Sequence, residues 1–304
     1  MKKLIGMAAA AALVMTGCSS SGSEDYAFTD IDNGKVEHLH GAGYPNAQEA
    51  FVIATHDGLL KYEDGKWSEA NSKKHDYMGF SPYSEGFYSS GHPEEGSDLQ
   101  NPLGLVKSTD YGASLEKLAF YGETDFHYLA TGYDSGVVYV LNQEPNSELE
   151  AGLYSTDDEG QKWEKKKMDG FDSTGIGSMA VHPTDPNLFA IASRDGLFLS
   201  EDGGNSFNAK TEGVMTTGIL LSEKTGVYSS IENGKITLVE FNLESGKETP
   251  LQAPDLKEDN PIMHITQNPD KPDELTVVTY KNDIYRTTDK GGEWEEIMSE
   301  GQIE

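Results

Sequence analysis

One short pattern constrains this chain more than any other feature. Ser or Thr, then Asp two positions on, Gly after two more, and an aromatic residue or Leu three further on, occurs four times. The sets are Ser108, Asp110, Gly112, Leu115; Thr156, Asp158, Gly160, Trp163; Ser200, Asp202, Gly204, Phe207; and Thr287, Asp289, Gly291, Trp294. An Asp carboxylate accepts backbone N–H bonds in a tight turn, Gly adopts a backbone angle that other residues resist, and the hydroxyl braces the turn. The last residue is expected to pack between neighbouring strands. Each set is therefore read as a hairpin corner, structural and not catalytic.

The spacing defines a repeat. Asp110 to Asp158 is 48 residues, Asp158 to Asp202 is 44, and Asp202 to Asp289 is 87, close to two repeats. Ile236–Phe241 followed by residues 242–246 supplies the hairpin of a degenerate unit in that gap. A shortened version, Tyr62 to Trp67 with Asp64 and Gly65, lies 46 residues before Asp110. Six units of 43 to 48 residues result, the size of a four-stranded propeller blade. The fourth unit shows the strands best: Ser178–Val181, Leu188–Ala192 and Leu197–Ser200, separated by turn-rich residues 182–187 and 194–196. The sixth repeats the scheme with Met263–Thr266, Leu275–Tyr280 and Ile284–Thr287. The expected fold is an all-β propeller of six four-stranded blades, in one domain over residues 33–304. Tyr26–Ile31 is expected to close the ring by pairing with the last blade.

These turns resemble the Asp-box (BNR) repeat of sialidases, sortilin-type receptors and photosystem II assembly factors. Further phrases, including His38 to Gly41, Ala54 to Leu59, Met78 to Phe80, Ser90 to Pro93, Asn101 to Gly104 and Asp125 to His127, resemble a family of bacterial extracellular Asp-box propellers often labelled glycosyl hydrolases or sortilin-like proteins. The resemblance spans roughly residues 36 to 294. It implies the scaffold more firmly than any reaction.

The N-terminus reads as an export signal over residues 1–17. Lys2 and Lys3 precede an apolar run, Leu4–Val14, too short for a bilayer span of about 20 residues. Cys18, the single cysteine of the chain, resembles the lipidated residue of a bacterial lipobox, with Met15 where Leu is usual. Residues 18–32 are expected to form a lipidated, flexible tether. The expected location is the extracytoplasmic face of a cell membrane, held through the lipid on Cys18. An intramolecular disulfide is impossible with one cysteine.

The formal charge is −29, and loss of Lys2 and Lys3 with a cleaved leader deepens it by two. Such a surface repels nucleic acid and anionic headgroups and suits cations or cationic partners. A monomer is expected. Only two arginines are present, Arg194 and Arg286. Sialidases hold the substrate carboxylate with three arginines, whose planar fork lysine does not replace, so that resemblance stops at the scaffold. The basic surface of the photosystem assembly factors is absent as well.

Histidine placement carries the functional reading. Within each blade, the second turn and the link to the next blade share one face, opposite the Asp-box corners. His56 and Asp57 fall in a second turn, His92 in the equivalent turn of blade two, and Asp125 and His127 at an inter-blade link. His75 precedes an inner strand. His38, His40 and His264 are assigned to inner strands lining the channel, and His38 and His40, two apart, to one side of a strand. Only His182 falls on the other face. The candidate ligand site is His38, His40, His56, Asp57, His92, Asp125, His127 and His264, and His38, His40, His56, His92 and His127 could hold a divalent transition metal. The same groups could instead hydrogen-bond a polar ligand or act in acid–base chemistry. A non-enzymatic ligand- or partner-binding propeller is the leading expectation. A non-sialidase glycoside hydrolase, needing two facing carboxylates, and a sortilin-like receptor scaffold are the alternatives.

Overall fold

The computed structural model describes residues 25–303. Cys18, the leader and the first part of the tether lie outside the described residues. Six antiparallel sheets follow one another along the chain as the four-stranded blades of a six-bladed β-propeller, the first sheet carrying a fifth strand on its outer edge. They cover residues 39–70, 76–119, 128–165, 176–209, 215–251 and 262–298, and are numbered here as blades one to six. The one helical element among the described residues is a 3₁₀ turn at Pro45–Ala47. No helix among them is long and apolar enough to cross a membrane.

Blade four illustrates how the sequence builds each unit. Its strands are Ile176–Val181, Phe189–Ser193, Gly196–Ser200 and Asn208–Ala209. The second strand is buried at every position, because both of its faces are covered by neighbouring blades, so an apolar run replaces simple alternation. The outermost strand is two residues long and exposed, which blunts the sheet edge.

The four Ser/Thr–Asp–Gly turns share one hydrogen-bond pattern. In blade four, Ser200 Oγ donates to Asp202 Oδ1 at 2.9 Å and accepts from the Gly204 N–H at 2.8 Å. Asp202 Oδ1 also accepts from the Ser206 N–H at 2.8 Å. The Ser206 hydroxyl and N–H hold the Asp202 carboxyl down to about 2. Equivalent bonds occur at Ser108 and Asp110, Thr156 and Asp158, and Thr287 and Asp289. Gly204 has φ of +87°, a left-handed conformation that disfavours any Cβ. The closing residues pack between blades as well as between strands. Phe207 is buried against Phe189 and Phe171, and Trp163 lies against Phe120 and Phe126 of the preceding blade and link. Blade five has no such turn. Asn242 takes the role of the Asp, its Oδ1 accepting from the Ser245 N–H and hydroxyl, both at 2.8 Å.

Ring closure differs from the expected arrangement. Phe28–Ile31 is an ordered strand rather than tether, and it pairs with Lys66–Ala70 on the outside of blade one instead of with the last blade. Asn71 fixes its start, exchanging bonds with Ala27 and Asp25. Closure falls to the next segment: Gly34–Lys35 pairs with Gln302–Ile303, and Asn282 Nδ2 donates to the carbonyls of Val36 and Glu37. One apolar cluster spans the seam, joining Val36, Phe51, Ile53 and Trp67 to Val278, Ile284, Met298 and Ile303. The Trp67 indole N–H donates to the Ile297 carbonyl at 3.0 Å.

Three substitutions test these roles. Ser200→Ala leaves the buried Gly204 N–H without its acceptor and is expected to cost about 1–3 kcal/mol, whereas Glu201→Ala on the exposed rim of the same turn changes stability by less than about 0.5 kcal/mol. Trp67→Ala is expected to cost about 3–5 kcal/mol by opening the closure seam. Urea denaturation measures all three.

Candidate functional site

The first strand of a blade lines the channel, and five of the six first strands carry a register shift near the histidine-bearing face. In blade one Leu39 pairs with Thr55 and Gly41 with Ala54, leaving His40 as the extra residue. Such a bulge turns a side chain out of the regular alternation. In blade six Met263 is extra, and His264 pairs with Val278.

The bulge aims His40 at a neighbour that the sequence reading missed. Asp76, the first residue of blade two, has a side chain only 15 % exposed, and its Oδ1 lies 3.4 Å from His40 Nε2. Its Oδ2 lies 2.8 Å from His56 Nδ1. One donor atom from each of His40, His56 and Asp76 falls within 4.8 Å of the other two. Both His40 Nε2 and Asp76 Oδ1 are buried without a hydrogen-bond partner. The rings of His38 and His40 each meet that of His56 edge-on, with centroids 4.9 and 4.6 Å apart. His38, however, precedes the strand, which begins at Leu39. His38 and His40 therefore do not share one side of a strand as expected: the bulge and the preceding loop bring them together instead.

Burial pushes His40 down to about 4, against the raising field of Asp76, and the nearby His56, His38 and His264 add to the lowering. His264 is likewise pushed down to about 4 by burial, since protein surrounds it although part of its surface still opens to the channel. Both imidazoles are neutral at pH 7. With His38, Met263 and Lys281 they line a cavity of about 690 Å³ at the seam between blades six and one, and Tyr280, exposed, stands on its rim.

The remaining candidates separate into two groups, and the two histidines outside the candidate set lie apart from both. His92, Asp125 and His127 form a second cluster: Asp125 Oδ2 lies 3.2 Å from His92 Nε2 and 3.5 Å from His127 Nδ1. The eight candidates thus do not make one site. Asp57 is an exposed turn residue whose N–H donates to Thr55 Oγ1, and it borders an adjoining cavity of about 260 Å³. Among the described contacts no imidazole meets its carboxylate. His75 and His182 are structural. His75 is buried, with Nδ1 accepting from the Glu94 N–H, and His182 Nδ1 accepts from the N–H groups of Thr184 and Asp185. Asp76 was detectable in the sequence as the acidic residue opening an inner strand, but Asp57, beside His56, drew the assignment.

No protein-family model matches the chain, and no curated relative matches it. Solved structures do. A GH74 xyloglucanase from Xanthomonas campestris aligns with a TM-score of 0.56 at 15 % identity, over 90 % of this chain and 47 % of that one. A GH74 enzyme from Niastella koreensis gives 0.58 at 14 %, over 88 % and 46 %. The chain therefore spans about half the length of these two. YCF48 from Cyanidioschyzon merolae gives 0.52 at 12 % identity, over 89 % and 88 %. At such identities the likeness concerns the propeller scaffold alone.

Proposed function

We propose that this protein is a lipid-anchored, extracytoplasmic binding propeller that holds a divalent transition metal between His40, His56 and Asp76. The observation that carries this reading is that one donor atom from each of His40, His56 and Asp76 lies within 4.8 Å of the other two, and that His40 Nε2 and Asp76 Oδ1 are buried without a hydrogen-bond partner. A buried carboxylate oxygen without a hydrogen bond is costly unless a cation faces it; Asp76 Oδ1 is such an oxygen, while Oδ2 already meets His56 Nδ1 at 2.8 Å. Tetrahedral coordination with bonds of about 2.1 Å places neighbouring donors about 3.4 Å apart, which matches the 3.4 Å between His40 Nε2 and Asp76 Oδ1. Neutral imidazoles with one carboxylate suit Zn²⁺, Ni²⁺ and Cu²⁺, and Cu²⁺ is favoured by the general affinity order. The remaining coordination positions would open toward the cavity at the seam, where His38 or an incoming ligand could complete the shell. The net charge of −29 concentrates cations near the surface.

The hydrolase reading has less support. A glycosidase needs two carboxylates facing each other across the scissile bond, whereas Asp76 and Asp125 are each engaged by separate pairs of imidazoles.

Titration calorimetry on the purified protein with Zn²⁺, Ni²⁺ and Cu²⁺ tests the proposal. His40→Ala and Asp76→Asn are expected to weaken binding at this site at least tenfold, and Asp57→Asn to leave it unchanged. Binding that is indifferent to His40 and Asp76 would sink the idea.

The metal-free protein carries a pH signature. His40 and His264 have folded-state values near 4, below the ordinary imidazole value of about 6.5. Below 6.5 the unfolded chain takes up protons that the folded chain refuses. Stability is therefore complete above about pH 6.5 and is lost as pH falls toward 4, by an amount on the order of 3 kcal/mol for His40. Thermal melts across this window should show a shallower decline in His264→Gln than in the unsubstituted protein.

A further inference from the structure

We infer that the channel mouth among the first turns of the blades binds a small alkylammonium ion, its cationic head beside Asp134 and Glu223 and its alkyl chain down the channel. This goes beyond the metal site and does not rest on it. The cavity at this mouth, of about 240 Å³, shares no lining residue with the two histidine-bearing cavities. Its described lining contains no lysine, arginine or histidine, and its two charged residues are both acidic.

The inner strands of all six blades contribute to the walls. Ala42, Ser81, Ala130 and Ala180, from four consecutive blades, are small and leave the axis open, while Leu220 and Ile265 add larger apolar surface from blades five and six. Thr131, three residues before Asp134, lines the same cavity. It is only 8 % exposed, and its Oγ1 has no hydrogen-bond partner. A buried hydroxyl in that state calls for a polar guest at its end of the cavity.

The rim is built before any ligand arrives. The Tyr133 hydroxyl of blade three donates to the Tyr44 carbonyl of blade one at 2.9 Å, and the Tyr133 carbonyl accepts from the Ser84 N–H at 2.9 Å. The N–H groups of Asp134 and Ser135 donate to the Pro183 carbonyl at 3.0 and 2.8 Å. From the next blade, Glu223 Oε1 accepts from the Thr184 hydroxyl at 3.1 Å, and the Glu223 carbonyl oxygen lies 3.2 Å from His182 Nε2. Asp134 and Glu223 are thus held against one turn of blade four, from blade three and blade five respectively. Both are exposed, and among the described ion pairs neither has a cationic partner.

Two carboxylates beside an apolar channel select for charge and shape together. An inorganic cation gains nothing from the alkyl walls, and an anion is repelled at the rim. An alkylammonium ion satisfies both parts: its head stays hydrated between the carboxylates while its stem is buried, the arrangement that lysine side chains adopt on protein surfaces. Because the rim is already fixed, little ordering opposes binding. Each methylene drawn into the channel strengthens binding about fourfold.

The experiment titrates n-pentylammonium, methylammonium and 1-pentanol by calorimetry into the purified full chain at neutral pH and low ionic strength, and n-pentylammonium into Asp134→Asn, Glu223→Gln and Asp76→Asn. The expected result is millimolar or tighter binding of n-pentylammonium at a single site, at least about tenfold tighter than either of the other two probes. Asp134→Asn and Glu223→Gln, both isosteric and exposed, are each expected to weaken it roughly three- to fivefold, and Asp76→Asn to leave it unchanged. Methylammonium binding as tightly as n-pentylammonium would assign the attraction to the acidic surface at large and overturn the inference. So would equal binding of 1-pentanol, indifference to both carboxylate substitutions, or no binding of n-pentylammonium at millimolar concentration. A loss in Asp76→Asn would move the ligand to the opposite end of the channel and overturn it as well. None of these results bears on metal binding by His40, His56 and Asp76, which is measured separately.

Discussion

A propeller is a sheet-packing problem with two loose ends, and everything on this molecule depends on how they are joined. Each blade buries its faces against two neighbours, so the first and last blades must meet or leave large apolar surfaces in water. Here the joint is the short pairing of Gly34–Lys35 with Gln302–Ile303, backed by the cluster from Val36 and Trp67 to Met298 and Ile303. The candidate cavity sits on that same joint, with His38 and His40 from one side and His264 from the other. The contact that completes the ring therefore also sets the distance across the site.

The two ends of the ring divide the work between rigidity and chemistry. At one end, the Ser/Thr–Asp–Gly turns satisfy their own backbone donors and their Asp carboxylates are stabilised in the charged form by local N–H and hydroxyl groups. At the other end, Asp76 and Asp125 are carboxylates of the opposite kind, deeply placed and short of hydrogen bonds. Among 52 acidic residues, environment rather than residue type separates the structural from the chemical ones.

That distinction also marks where sequence reading succeeds and where it stops. The blades were legible because each is encoded locally: a hydroxyl, an Asp and a Gly at fixed spacing make one corner, and the corner recurs at the period of a blade. The histidine-bearing face followed from counting turns. Which residues meet on that face was not legible, because it depends on register shifts and on neighbours far apart in the chain. His40 reaches Asp76 through a bulge that no alternation rule anticipates. Asp57 had the more suggestive sequence position, yet the Thr55–Gly58 turn carries it away from the imidazoles. Tyr26–Ile31, expected to pair with the last blade, lies instead on the outside of blade one, because a four-residue segment with two polar residues at its centre does not itself specify which exposed edge it joins.

The bulges explain why a scaffold of this kind tolerates costly polar groups near its axis. A regular inner strand alternates its side chains between the two faces of the blade, both of which are packed against other blades. An extra residue breaks the alternation at one point and points a single side chain along the channel instead, while the ladder on either side stays paired. In blade one that residue is His40 and in blade six it is Met263; in blade four it is Gly177, which presents nothing. The position is not equally open in every blade: a Cβ on Gly177 would lie 3.0 Å from the Thr217 carbonyl oxygen, and the first strand of blade three has no register shift. Backbone and side chain therefore both set the pattern: the bulge of blade one carries His40 toward Asp76, while crowding keeps a glycine at the bulge of blade four.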